Sequence, residues 1–307
     1  MALALQGIRV LDLTDAVAGP FCTMLLASCG AEVIRPESRR HLGFRAGPGA
    51  PQGPEDQIDF SKVDMSTLVS PNFARFNLNK LSAALNLTKP EAREVFKKLV
   101  RVSDVVVDNL SFGVVQKWGL DYETLRHIKN DIIVVSMPSL GKGPHEEWTT
   151  WGMNLLSFTG FAYSWGHPET PVEERAASNY YGDYIAGMKT AAAVLAALYH
   201  RARTGEGQYV EVAQAEVTAS LLGLSFVDYF VNQRISPPRG NRHAQFAPYN
   251  SYPCKGDDRW CVITTFSEDD WQKLCRALDS PKWTEDSKFQ DMETRLKNAG
   301  ELDKNIE

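Results

Sequence analysis

The chain has 307 residues, of which 43% are apolar and 23% charged, with a formal charge of −5 at pH 7. That length buries a sizeable core and accommodates one large or two modest domains of ordinary globular composition. The acidic balance, with no dense basic stretch, counts against a nucleic-acid partner, and the absence of a transmembrane-length apolar run or a signal-peptide pattern points to a cytoplasmic protein with no membrane partner.

Residues 8–13 (IRVLDL) suit a buried strand, Gly19-Pro20 marks a turn, and Phe21 to Ser28 has helix periodicity that stops at Gly30. Residues 31–34 (AEVI) form a second strand, so the chain opens β-α-β and predicts a doubly wound, mostly parallel α/β sheet. The dinucleotide fingerprint G-x-G-x-x-G is missing from the first turn, which leaves nicotinamide cofactors without their usual signal. Residues 38–71 are rich in Gly and Pro and read as a surface loop or lid. Its Arg39 and Arg40 stand just past the second strand, on the side where such sheets bind ligands.

An amphipathic helix is expected over 89–100, with Pro90 in its first turn, followed by strands at 104–108 and 132–137. A further helix is expected over 151–160. The Ala-rich run after Gly182-Asp183 predicts a long, buried helix closed by Arg201, Arg203 and Gly205. Asp183 then stands at or near its N-terminus, where the helix dipole favours the ionised carboxylate. By spacing alone it is either an N-cap or a nucleophilic carboxylate. Residues 208–213 form a strand and a helix runs on to about 233, before Pro237-Pro238 breaks the pattern. Runs 249–254 and 260–265 flank Lys255-Gly256-Asp257-Asp258 as a hairpin, and a helix begins near Trp271.

The five cysteines include no C-x-x-C pair and read as reduced thiols, with Cys22 and Cys29 as buried filler of one helix face. His243, in a loop, reads as solvent-facing. Tyr180, Tyr181 and Tyr184 read as packing residues with satisfied hydroxyls, or as the wall of a substrate pocket.

Several blocks carry a resemblance. They are LQGIRVLDLT (5–14), Ala18-Gly19-Pro20, GAEVI (30–34), NLNKLSAALNL (77–87), Gly182-Asp183-(x)3-Gly187 and RTGEGQYVEV (203–212). Together they resemble the class III CoA-transferase family of the CaiB/BaiF type. The resemblance implies a Rossmann-like large domain (1–230) lacking the usual C-terminal return segment, and a small α+β domain (231–307). It implies an intertwined homodimer, or a heteromer with a homologous subunit. It makes Asp183 the acyl-accepting nucleophile in CoA transfer from an acyl-CoA, such as succinyl-CoA, to a carboxylic acid, without metal. Coenzyme A would be held, by position, at Ala16, Val17, Ala18, Leu85, Asn109, Leu110 and Lys117, with Arg39 nearby.

The chain departs from the family where formyl-CoA transferases carry Gln (here Val17) and where many transferases carry a carboxylate (here Met153). It also has Trp151-Gly152 where the family's racemases carry His-Asp, which disfavours racemisation. A non-catalytic or half-competent subunit is the alternative reading.

Overall fold

The computed structural model describes residues 2–38, 70–175 and 180–307, so Arg39 and almost all of the segment read as a loop or lid lie outside the described residues. These residues gather into two compact units. One runs to Phe161 and resumes from 180 to Val231; the other comprises Ala162–Arg175 and Asn232–Glu307.

The first unit is built on a six-stranded sheet in which every described pairing is parallel. Its strands are β1 (Arg9–Leu13), β2 (Glu32–Glu37), β3 (Lys80–Ala84), β4 (Val105–Asp108), β5 (Ile133–Ser136) and β6 (Tyr209–Glu211), in spatial order 3-2-1-4-5-6. The central strands β4 and β5 read VVVD and IVVS and are almost wholly buried, as strands covered on both faces must be. Register sets Val10 against both Val33 and Val105, and Val106 against Val134. Strand β3 lacks an apolar run and is largely exposed, which is why periodicity alone does not reveal it.

The helices are α1 (Ala18–Ser28), α2 (Pro71–Phe76), α3 (Pro90–Val100), α4 (Val114–Trp118), α5 (Tyr122–Ile128), α6 (Gly152–Phe158), α7 (Phe161–Ser164, beyond its first residue part of the second unit), α8 (Tyr181–Thr204), α9 (Gln214–Ser220) and α10 (Gly223–Asn232). One face of the sheet packs Val10, Val105, Val107 and Ile133 against α1 and α8, and the other packs Leu11, Val106 and Val134 against α3 and α5. Helix α8 ends as expected, with Gly205 in the left-handed conformation (φ 77) and its N–H on the Arg201 carbonyl at 2.8 Å. It is not buried all round, however. Its inward stripe is Asp183, Ala186, Gly187, Thr190, Ala191, Val194 and Ala197, while Met188, Leu195 and Tyr199 are exposed on the other side. The helix expected to continue to about 233 is interrupted between α9 and α10. Cys22 is buried as expected, but Cys29 is exposed, because α1 ends at Ser28.

The second unit contains the antiparallel hairpin β7 (Tyr249–Pro253) and β8 (Trp260–Thr264), and helices α11 (Glu268–Ala277), α12 (Met292–Lys297) and α13 (Ala299–Ile306). Trp271, Cys275, Phe289 and Leu302 make its core. Arg295 is fully buried there and hydrogen-bonds the carbonyls of Ala247 and Phe289 at 3.1 and 3.0 Å, pairs with Glu268, and lies 4.7 Å above the Trp271 ring. A buried guanidinium persists only when its donors are met in this way. Asp303 plays the matching role for β7, accepting from the Tyr252 hydroxyl (2.7 Å), Asn250 (3.1 Å) and Arg242 (2.9 Å).

Candidate active site

The sheet order changes direction between β1 and β4, and the crevice outside their C-terminal ends is the usual ligand position of such a sheet. Two loops meet there. Asp15 N–H donates to the Asn109 side-chain oxygen at 2.8 Å, and the Asn109 amide returns a bond to the Asp15 carbonyl, also at 2.8 Å. The geometry thus brings together the segment Ala16, Val17, Ala18 and the segment Asn109, Leu110, which sequence reasoning placed in one binding site. Ala16 has φ 62, a left-handed conformation that a non-glycine residue holds only when its surroundings impose it. Val17 is the buried N-cap residue of α1. Leu85 follows β3, its N–H on the Glu37 carbonyl at 2.9 Å, and with Leu110 it packs against the core beneath α3 and α5. Lys117 is exposed on α4.

What holds the 14–20 turn was not legible in the sequence. Asp12, buried at the end of β1, accepts from the Thr14 N–H (3.0 Å), the Thr23 hydroxyl (2.8 Å) and Lys80 Nζ (3.0 Å). Lys80 Nζ also donates to the Pro20 carbonyl and to Asn77 Oδ1, both at 2.9 Å. Arg35 reaches the Thr14 carbonyl at 2.5 Å and sits 3.6 Å from Asp15. Burial alone would raise the Asp12 pKa, but Lys80 and Arg35 outweigh it and hold the carboxyl below its ordinary range. The charged NLNK block and the β2 arginine therefore meet beneath the turn, a juxtaposition that only the β1-β2-β3 pairing creates.

Asp183 is not the N-cap of α8; Tyr180 is, and Asp183 is the third helical residue, with a fractional exposure of 8%. Its neighbours explain the glycines of the Gly-Asp-(x)3-Gly motif. A Cβ on Gly182 would lie 3.1 Å from Thr218 Oγ1, and one on Gly187 only 2.7 Å from the Ala18 carbonyl oxygen. Gly187 is one turn beyond Asp183 on the same face, so the close crossing of α1 and α8 sets the carboxylate about 6 Å along the helix from the 16–18 turn. Gly152, at the start of α6, covers the other side: a Cβ there would fall 1.9 Å from Asp183 Oδ2. This residue was read from the sequence only as a lost racemase position. An Asp at 152 cannot coexist with Asp183 in this conformation.

The dipole argument for a fully ionised Asp183 is corrected by its burial. Desolvation pushes the pKa up to about 6, against an opposing hydrogen bond from its own backbone N–H. A second buried carboxyl, Asp108, ends β4 beside Asn109; desolvation raises its pKa to about 6 as well, opposed by the Leu110 N–H and Ser136. At neutral pH both remain mainly ionised, the form in which a carboxylate can act as a nucleophile.

The aromatic surroundings divide. Tyr184 packs edge-on against Phe21 at 4.9 Å and tilted against Phe76 at 5.9 Å, with Arg75 over its ring, and its buried hydroxyl has no hydrogen-bond partner among the described residues. The expectation of satisfied hydroxyls does not hold for it. Tyr181 stacks on Phe161 at 5.6 Å, and Tyr180, Trp151 and Met153 are exposed. His243 is half-buried in the second unit, stacked on Phe246. Among the described residues no group of three or more His, Cys, Asp or Glu is placed to hold a metal, and no helix is long and apolar enough to cross a membrane.

The profile of the family described as CoA-transferase family III matches residues 5–307. A succinyl-CoA:mesaconate CoA-transferase of Haloarcula marismortui is 31% identical over 304 residues, covering 97% of this chain and 73% of that protein. The beta subunit of a succinyl-CoA--L-malate CoA-transferase of Chloroflexus aurantiacus is 30% identical, covering 98% of this chain and 71% of its own length. Among solved structures, a CAIB/BAIF family protein from Brucella suis superposes with a TM-score of 0.84 at 25% identity, over all of this chain and 78% of that one.

Proposed function

Because this chain belongs to CoA-transferase family III, we propose that it moves CoA from an acyl-CoA donor to a free carboxylic acid, with Asp183 as the covalent relay. Asp183 attacks the thioester carbonyl, giving an aspartyl anhydride and CoA thiolate; the thiolate returns to form an aspartyl-CoA thioester and frees the donor acid. The acceptor carboxylate then attacks that thioester to give a second anhydride, and the thiolate attacks its acceptor carbonyl to release the new acyl-CoA and Asp183. Each step keeps an activated acyl group, so neither ATP nor a metal enters the balance. The observation that carries this reading is the seat of Asp183: desolvated, closed on one side by Gly152, and one helical turn from the loop assigned to CoA. Ala16, Val17, Ala18, Leu85, Asn109 and Leu110 are proposed to line the CoA site, with Lys117 and Arg39 as its cations. Loop N–H groups at the start of α1, an eleven-residue helix, suit a phosphate. Several similar proteins are named for succinyl-CoA, which makes it the first donor to try.

The test is mass spectrometry of the chain after succinyl-CoA followed by hydroxylamine or borohydride, beside Asp183→Ala. Modification of the Asp183 peptide, absent from the variant, is the expected result; an unmodified peptide with several acyl-CoAs would overturn it.

A second reading, a subunit that works beside a homologous chain, is favoured by the residues at 17 and 153 and by the likeness to a protein named as a beta subunit. Either way an assembly is proposed. Leu224, Val227, Phe230 and Val231 on α10 are more than half exposed, more apolar surface than an isolated chain ordinarily leaves bare. Sedimentation at micromolar concentration should show a dimer or larger species, and a monomer would refute it.

A further inference from the structure

Two thiols of the second unit take no part in the proposed transfer. Cys254 and Cys261 are both exposed, one just past the end of β7 and the other within β8. The hairpin register pairs Tyr252 with Cys261 and Pro253 with Trp260, and the Cys254 N–H continues the ladder to the Arg259 carbonyl at 2.7 Å. Cys254 therefore faces Arg259, and Cys261 is its diagonal neighbour on the same face of the ribbon. Cys254 lies close enough to raise the pKa of the Cys261 thiol. The turn between them, which includes Gly256 at φ 122 and Asp258 at φ 46, lies outside the ladder and can absorb the small approach that a covalent link requires. A structural thiolate-metal site would call for further ligands, and among the described residues no cluster supplies them.

We propose that Cys254 and Cys261 form a reversible dithiol–disulfide site that closes by exchange with a low-molecular-weight disulfide. One of the two thiols, written here as Cys254, loses its proton to solvent and attacks first. It forms a mixed disulfide and expels one small thiolate, which takes up a proton. Cys261 then gives its proton to solvent and attacks Cys254 Sγ, expelling the second small thiolate. Two protein thiols are oxidised and one external disulfide is reduced to two thiols. The second step is intramolecular between neighbours on one face of the hairpin, so it outruns accumulation of the mixed disulfide. The buried Cys22 and Cys275 are shielded from this chemistry, and the exposed Cys29, in the other unit, serves as an internal reference.

The experiment equilibrates the full chain with glutathione and glutathione disulfide over a range of ratios, then alkylates, digests without reduction and maps peptides by mass. The expected product is a peptide linking Cys254 to Cys261 within one chain, lighter by two hydrogens and missing two alkylation sites. Cys254→Ser and Cys261→Ser should each instead hold glutathione on the remaining thiol. The proposal is overturned if the wild type accumulates glutathione separately on both cysteines, stays fully alkylatable across the series, or forms this disulfide only between chains. It does not depend on whether the chain transfers CoA.

Discussion

Asp183 and Gly152 act as a pair in which one side chain has to be absent for the other to hold its place. Gly152→Ala sets a methyl group 1.9 Å from Asp183 Oδ2, so the carboxylate must rotate away. A displacement of about 1 Å is enough to cost roughly 10²-fold in a positioned reaction. Gly152→Ala should thus lose acyl-adduct formation by about that factor, read in single-turnover labelling, while circular dichroism stays unchanged. Asp108 offers a separate test of burial. Its pKa is raised to about 6 from 3.8, so ionising it destabilises the fold as pH climbs through that window. Asp108→Asn, which cannot ionise, should be more stable than wild type at pH 8, by up to about 3 kcal/mol. The advantage should fade as pH drops through 6 and vanish below about pH 3, where the wild-type carboxyl is protonated in both states. Denaturant midpoints across that range check it, and a variant no more stable at pH 8 would contradict the assignment.

The crossing of α1 and α8 is where an element-scale property decides a chemical one. Gly187 lets the two helices approach until its α-carbon faces the Ala18 carbonyl, and Phe21 closes the same contact. Gly187→Ala overpacks this crossing and should cost about 1–3 kcal/mol. Unlike a surface substitution of equal stability cost, it should also weaken CoA binding, measurable by calorimetry, since it pushes the 16–18 turn away. Much at this scale was legible. Strands 105–108 and 133–136 are continuous Val/Ile runs, α3 has a clear amphipathic face, and Gly205 stops α8. The edge strand β3 and the break between α9 and α10 were not, because both carry helix-compatible residues whose state is set by tertiary pairing rather than period. The outward face of α8 was misread for a related reason: Met188, Leu195 and Tyr199 look like core residues, and only packing shows which side has a neighbour.

At the scale of the whole molecule, the site rests on charges contributed by segments far apart in sequence. Lys80, Asp12 and Arg35 meet beneath the turn only once three strands have paired. Removing Lys80 leaves the buried Asp12 with only the more distant Arg35 and two hydroxyl-bearing neighbours, so Lys80→Met should cost about 3–5 kcal/mol. Urea denaturation would measure it, and a loss below 1 kcal/mol would mean the network contributes little. This is also why the candidate site was only partly legible. The motif residues Asp183, Ala16 to Ala18, Asn109 and Leu110 stand out in the sequence, whereas Asp12, Arg35 and Gly152 acquire meaning from neighbours that no local pattern announces.

The carboxylate of Asp303 sets an order of events during synthesis. It receives the Arg242, Asn250 and Tyr252 side chains, which leave the ribosome some fifty to sixty residues earlier. Until it arrives, those donors of the nascent hairpin have only water to satisfy them, so the hairpin has reason to stay open while the first unit, whose partners lie upstream, is free to close. The second unit is thus a late-folding module, and until Phe289 and Leu302 appear its core residue Trp271 lacks the apolar partners that bury it.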